Sequence, residues 1–374
     1  MPDSNCTASN RILKRNKICN LCRERLDSAV RRKVFNLPDG INSKPRDSIV
    51  RAIRIKEDAN RGLWLGEARN PECRCDEVLI RVRATAVNRA DLLQRRGLYP
   101  PPPGESDILG LEAAGEIAAM GEGVTGWQVG DRVFCLLGGG GYAELVKAHH
   151  QMLLPMPPGW TFEQAAAAPE AFYTAFVNLF LEAAFQPGEI LLLHAGASGV
   201  GTAAIQLARN AGGLVIVTAG SDEKLVRCVE LGANHGINYK TSDFEDVALK
   251  LTNHRGVDVV LDCVGAPYFA KSVSVLRTQG RLVLIGLLGG AKTEIDLTPL
   301  LRKRLHVIGS TLRTRSLQEK IAITEQFRRR VLPYFERGNF QAVIDRVFPL
   351  AEAEQAHEYV LQNKNFGKVV LQVG

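Results

Sequence analysis

No apolar run in this 374-residue sequence approaches the roughly 20 residues needed to cross a bilayer, which excludes a membrane-spanning reading. A secretory signal is missing, and the eight cysteines form no secreted disulfide framework, so reduced cytosolic thiols are the expectation. Zinc-binding spacing is lacking too: Cys19-Asn20-Leu21-Cys22 has no convincing second pair, because Cys73-Arg74-Cys75 is spaced too tightly and lies far away. Excess charge is confined to one end. Residues 1–48 hold eleven Lys/Arg and five Asp/Glu, a balance of +6 that leaves only +1 of the total +7 for the remainder. The nearly neutral body gives little electrostatic support for a nucleic-acid surface. Residues 1–48 read as a basic, disordered extension; the alternative is a mitochondrial presequence, Arg-rich but spoiled by Glu24, Asp27 and Asp39.

What is there is an ordinary soluble composition, 45% hydrophobic and 23% charged, in a chain long enough for two domains. Its organising stretch is the apolar run Ile190 to Leu193, the glycine-rich turn His194 to Gly201 and an alanine-rich helical pattern through Arg209. Strand, tight turn and helix in this order form an anion site, because the free N–H groups and the dipole of the helix's first turn point at whatever sits there. Gly196, Gly199 and Gly201 keep Cβ atoms out of the way of a pyrophosphate, with Ser198 and Val200 between them. The spacing departs from G-x-G-x-x-G, and a plain strand-to-helix turn is the competing reading.

The next strand, Leu214 to Ala219, ends in Gly220-Ser221, with Lys224 just inside the following helix. NAD-selective folds usually place a carboxylate at that tip. Here a small residue, a hydroxyl and an ammonium suit a 2′-phosphate instead, so NADPH is the expected cofactor. Asp222 dissents, but at a helix start it is more simply a cap.

Ahead of this unit, alternation in Ile49–Ile55, Leu63–Leu65 and Glu77–Ala84 predicts short antiparallel strands. A helix from Ala86 closing at Gly97, the stiff loop Pro100 to Gly104, a strand over 108–117 and the run Gly138 to Gly141 complete a turn-rich β module. Beyond the glycine turn, six strands alternate with helices in a doubly wound sheet whose last strand covers 306–312. The expected class is α/β: a mostly β domain over 49–168 and 314–374, and a dinucleotide-binding domain over 169–313. The helix 165–176 joins them and should bend at Pro169. A long amphipathic helix is expected from Ser316 to Gly338.

The segments 88–104, 108–115, 136–144, 169–176, 194–209 and 363–371, in this order, resemble the zinc-free quinone oxidoreductases of the medium-chain dehydrogenase/reductase superfamily. The resemblance covers about residues 49–374. It implies a GroES-like catalytic domain beside a Rossmann NADPH-binding domain. It places Asn88 and Thr174 near the nicotinamide, Tyr239 beside Lys224 at the adenosine end, and Asn365 and Lys368 closing over the cofactor. Gly265, Gly286 and Leu287 stand at the carboxyl ends of strands, where ligands bind in open α/β sheets. Plainer readings stay open: a back-bonded hydroxyl for Thr174, a strand aromatic for Tyr239, a loop lysine for Lys368 and strand termination for either glycine.

Zinc-dependent relatives carry a first-domain cysteine where this chain has Asn88, and a histidine before the glutamate that matches Glu112; both are absent, so no metal is expected. The implied activity is zinc-independent reduction of quinones or conjugated carbonyl acceptors by NADPH. Tyr99 is the candidate for touching the acceptor, with Ser198 assisting; loop packing and backbone capping are their structural alternatives. Two further functions remain open, a 2-enoyl thioester reductase and a cofactor-binding regulatory or RNA-binding protein. The apolar edge strand near 306–312 predicts a homodimer.

Overall fold

The alternating pattern from Ile49 forms a hairpin, β1 (Ile49–Ile55) and β2 (Leu63–Arg69), that buries Val50, Ala52 and Ile53. A computed structural model describes residues 49–374, which form one compact unit. The expectations for residues 1–48 (extension, presequence, Cys19 and Cys22) lie outside the described residues.

The chain continues through β3 (Glu77–Val87), α1 (Arg89–Arg95), β4 (Glu112–Met120), β5 (Arg132–Leu136), β6 (Leu145–His149), β7 (Leu153–Pro155), α2 (Phe162–Ala166) and α3 (Pro169–Phe176). The strand expected over 108–117 starts only at Glu112. Residues 108–111 instead lie along the glycine run, with Gly140 N donating to Ile108 O and Tyr142 N to Leu109 O. Gly110 permits this crossing, because its φ is +102° and a Cβ there would stand 2.7 Å from backbone atoms of Gly141 and Tyr142. The expected bend at Pro169 is a full break: α2 ends and Pro169 opens α3, where its missing N–H is harmless.

The second lobe runs β8 (Ile190–Leu193), α4 (Gly199–Asn210), β9 (Leu214–Ala219), α5 (Asp222–Glu230), β10 (His235–Asn238), α6 (Phe244–Leu251), β11 (Val257–Asp262), α7 (Ala266–Ser274), β12 (Leu276–Leu284), α8 (Thr298–Arg302) and β13 (His306–Gly309). All pairings are parallel, in the order β10-β9-β8-β11-β12-β13. The order reverses beside β8, so the glycine turn after β8 opens at the switch point where such sheets bind ligands. The last strand is shorter than expected, ending at Gly309.

The chain then returns through α9 (Leu317–Arg330), α10 (Leu332–Glu336), β14 (Ile344–Pro349), α11 (Ala353–Leu361) and β15 (Lys368–Gln372). The single helix expected over 316–338 is two, with Pro333 in the first turn of the second. Antiparallel pairing of β15 with β3 sets Val369 opposite Val87, which brings Lys368 beside Asn88. Between the lobes, α3 buries Phe172, Tyr173 and Phe176 against Phe327 and Phe335, with Tyr173 and Phe327 stacked at 4.1 Å. Each such ring contributes roughly 1.5–3 kcal/mol by leaving water, and the two lobes share this core.

Two buried histidines give the fold a pH dependence. His194, under the glycine turn, bonds Thr218 Oγ1 at 3.1 Å and Ser272 Oγ at 3.2 Å, and His357 bonds the Tyr142 hydroxyl at 3.1 Å. Burial lowers both imidazoles to about 3. A base whose folded pKa lies below its unfolded value stabilises the fold above about 6.5 and loses that contribution as pH falls toward about 3. Burial raises the Asp91 carboxyl to about 6, and this works in the opposite sense, since its contribution is lost as pH rises through about 6. The Glu170 carboxyl, which burial raises to about 8, opposes the histidines in the same way as Asp91, so the pH dependence between 7 and 4 is the balance of the four groups, each with a slope approaching roughly 1.4 kcal/mol per pH unit in its own window. His194→Gln should remove one histidine's share, so that melting curves of the variant lose less, or gain more, than the parent's as pH falls from 7 to 4; parallel curves would rule His194 out as a source of the dependence.

Candidate cofactor cleft and acceptor site

The turn after β8 is held by backbone approach. Ala195 adopts φ +56°, which a residue other than glycine rarely does, and its carbonyl accepts from Ser198 N. A Cβ on Gly201 would lie 2.4 Å from Ala195 O and 2.5 Å from Gly196 O, and one on Gly196 would lie 2.7 Å from Val217 Cβ. Both glycines are therefore required by the turn itself. Ser198 caps α4, its Oγ accepting from Gly201 N at 3.0 Å, while its hydroxyl hydrogen has no acceptor among the described residues. A Cβ on Gly199 would meet Lys368 Cδ at 2.5 Å, so the helix start abuts the lysine of the other lobe.

That lysine anchors a buried polar block. Lys368 Nζ donates to Glu112 Oε1 at 2.7 Å, to Val87 O at 3.3 Å and to Asn88 Oδ1. Asn88 Nδ2 donates to the same Glu112 oxygen at 2.7 Å, and Glu112 Oε2 accepts from the Glu170 amide at 2.8 Å. The side chains of Lys368 and Glu112 are 4% and 0% exposed, so the pair is fully desolvated. Asn88, Lys368 and Gly199, singled out separately in the sequence, thus meet at one point. Glu112 and Glu170 were missed as a pair. The Glu170 carboxyl makes no hydrogen bond among the described residues, and burial, reinforced by Glu112, pushes it up to about 8.

Thr174 lies one turn after Glu170 on α3, half-buried, and its hydroxyl makes no hydrogen bond among the described residues, so the back-bonded reading does not apply. Tyr99 is half-buried beneath Arg313, whose guanidinium carbon stands 5.3 Å from the ring centroid. Burial and the neighbouring Glu170 raise the Tyr99 phenol above its ordinary value, partly offset by Arg313.

At the far end, the tip of β9 joins the returning chain. Lys224 Nζ donates to Asn363 O at 2.6 Å and Asn365 O at 2.8 Å, leaving one N–H of its three. Gly367 N donates to Ala197 O at 2.8 Å, so the 363–367 loop is stitched to the glycine turn. A Cβ on Gly220 would lie 2.7 Å from the Tyr239 hydroxyl and 3.3 Å from Lys240 Cε. The tip thus gathers Gly220, Ser221, Lys224, Tyr239 and Lys240, the last missed in the sequence. Asp222, the dissenting carboxylate, is not the cap the sequence suggested: Ser221 holds that position, and Asp222, the first helical residue, accepts from Asn238 Nδ2 at 2.8 Å.

At the other strand ends, Gly265 takes φ +84° and bridges to Gly290, and Asp262 Oδ1 accepts from the amides of Val264 and Gly265. A Cβ on Gly286 would approach Cys263 O to 3.2 Å, and Leu287 beside it is exposed. A dinucleotide cofactor fits these residues: Cβ atoms on Gly196, Gly199 or Gly201 would fill the cradle, and Lys224 at the tip keeps one N–H to donate.

Residues 74–158 match the family described as the alcohol dehydrogenase GroES-like domain, and residues 199–327 match that of zinc-binding dehydrogenases. Among the described residues no three His, Cys, Asp or Glu side chains gather to hold a metal, and the Glu112 carboxylate is closed off by Lys368 and Asn88. The human synaptic vesicle membrane protein VAT-1 homolog is 32% identical over 314 residues, 80% of this chain and 79% of its own. Rat quinone oxidoreductase is 32% identical over 303 residues, 80% of this chain and 90% of its own. Two solved structures superpose closely. The CurK enoyl reductase has TM-score 0.78 and 31% identity, covering 88% of this chain and all of its own. Escherichia coli quinone oxidoreductase complexed with NADPH has TM-score 0.76 and 28% identity, covering 86% and 99%. A GroES-like lobe, a Rossmann lobe and relatives at this identity show an oxidoreductase that belongs to the quinone oxidoreductase family of the medium-chain dehydrogenase/reductase superfamily.

Proposed function

We propose that the chain is an NADPH-dependent, zinc-independent reductase of quinones or related conjugated carbonyl acceptors. The observation that carries this reading is the strand tip where Gly220, Ser221, Lys224, Tyr239 and Lys240 gather, with the Asp222 carboxylate engaged by Asn238, while in the other lobe the zinc-site glutamate Glu112 is bound by Lys368. When bound, NADPH supplies a hydride from its nicotinamide. Gly199 and Val200 offer first-turn amides to the pyrophosphate, with the Ser198 hydroxyl beside them. Asn88 and Thr174 border the nicotinamide end with Gly265, Gly286 and Leu287, and Asn365 and Lys368 fasten the 363–368 segment over it. Tyr99 offers its ring to a flat acceptor. A quinone needs no Lewis acid to accept hydride, because its reduced anion is delocalised.

Lys224→Ala should raise KM for NADPH about tenfold to a hundredfold while changing KM for NADH far less, the equivalent of losing one charge-assisted hydrogen bond of roughly 1.5–3 kcal/mol. Equal changes for both cofactors would take the 2′-phosphate away from Lys224. The likeness to an enoyl reductase structure supports a second reading, reduction of a 2-enoyl thioester. Turnover confined to such a thioester in a parallel assay would favour it.

We also propose a homodimer across β13, an edge strand with Val307 41% exposed and Leu301 81% exposed close by in sequence. Light scattering at micromolar concentration should give twice the chain mass; the mass of one chain would end this proposal.

A further inference from the structure

Arg313 is a buried cation without a carboxylate. It is 5% exposed, yet its three hydrogen bonds go to uncharged acceptors: Nε to Gly138 O at 2.8 Å, Nη1 to Tyr99 O at 3.2 Å and Nη2 to Gln94 Oε1 at 2.8 Å. Among the described residues no acid stands within ion-pair distance of it. A guanidinium has five N–H donors, so two are left over. Burying a charge without a partner is strongly unfavourable, and neutral acceptors alone could be served by an uncharged side chain. Around it, the uncharged Tyr99 ring lies 5.3 Å from the guanidinium carbon, Asp91, Glu170 and Glu105 act from a distance, and the buried Lys320 adds a second cation. Burial pushes the Glu170 carboxyl up to about 8, so at neutral pH its proton is mostly on and it supplies little countercharge.

Its position matches a need of the reaction. Arg313 follows β13 of the Rossmann lobe, but its bonds reach Gln94, Tyr99 and Gly138 of the other lobe, so it joins the two beside the residue assigned to the acceptor. Resting on the function proposed above, we propose that Arg313 is the anion-binding group of the acceptor site, holding the phenolate oxygen formed when a quinone is reduced. Hydride addition carries two electrons and one proton from the nicotinamide to the quinone. The electron pair displaced from the carbonyl π bond comes to rest on oxygen as a hydroquinone monoanion. One further proton, taken from water, completes the hydroquinone. A fixed guanidinium facing that oxygen stabilises the charge as it forms and needs no reorganisation to do so. The same residue is a specificity element, favouring acceptors whose reduction leaves charge on oxygen.

The test uses 4-nitrophenol, a flat phenol whose ionisation is read from its colour, titrated with the full chain and no cofactor, so that it is independent of turnover. The parent chain should bind phenolate at least about tenfold more tightly than phenol, seen as a fall of about one unit in the pKa of the bound probe. Arg313→Gln should bring the ratio near one, Arg313→Lys should keep most of it, and Lys320→Gln should leave it largely in place. Equal binding of phenol and phenolate by the parent, or no binding, would overturn the proposal without any variant being needed. So would an Arg313→Gln variant that unfolds cooperatively yet keeps the phenolate preference. Should Arg313→Gln not fold, loss of the preference in a folded Arg313→Lys variant would overturn it equally. A preserved preference without quinone turnover would sink the reductase reading and leave the anion site standing.

Discussion

Lys368→Met is expected to lower stability by about 3–5 kcal/mol, because it strands the buried Glu112 carboxylate with no other cation in contact among the described residues. The loss should exceed that from removing an exposed pair such as Arg51 with Glu144, whose side chains are 61% and 32% exposed, by several-fold. The double variant Lys368→Met with Glu112→Gln should recover more than half of it, since a neutral amide still pairs with Asn88 and leaves no bare charge. Denaturant unfolding of the parent, the single and the double variant completes the cycle. A single variant within about 1 kcal/mol of the parent would show that the pair is not what fixes β15 against β3. The consequence reaches function, because the same contacts orient Asn88 and set the Glu170 amide at the start of α3.

Gly201→Ala carries the second large effect. The added methyl would stand 2.4 Å from Ala195 O and 2.5 Å from Gly196 O, both backbone atoms, so either the turn opens or α4 retreats from it. Overpacking of this kind costs about 1–3 kcal/mol. The larger effect is on the anion cradle, where a displacement of the first-turn amides should weaken NADPH binding more than about tenfold. Gly62→Ala is the control, since its methyl meets only the flexible Lys56 side chain at 3.4 Å and should change stability by no more than about 0.5 kcal/mol. Calorimetric titration with NADPH reads the difference. Parent-like affinity in Gly201→Ala would move the cofactor away from this turn.

The glycine turn, the six-strand alternation and the basic tip were legible because each depends on local chemistry: a turn needs glycines, a buried parallel strand needs a continuous apolar run, and a phosphate needs amides and ammonium groups. Boundaries set by tertiary contact were less legible. The strand expected from Ile108 starts at Glu112 because Gly110 lets the chain cross the glycine run, a contact between segments 31 to 33 residues apart that no local pattern announces. The helix expected over 316–338 breaks near Pro333, a signal that the amphipathic period masked. In the site, Asn88 and Lys368 were legible singly, yet their meeting depends on the register of β15 on β3. Glu112 carried a readable sign, a lone acid opening the otherwise small and apolar Ala113-Ala114-Gly115. Arg313 carried none, since a single arginine after a strand looks like a surface residue until its burial is known.

The central claim is chemical, and steady-state oxidation of NADPH by the purified chain tests it most directly, against ortho- and para-quinones and a 2-enoyl thioester, with NADH as the comparison and a chelator control. The account predicts quinone turnover that prefers NADPH and is indifferent to the chelator. No turnover with any quinone, or turnover abolished by the chelator, would contradict it.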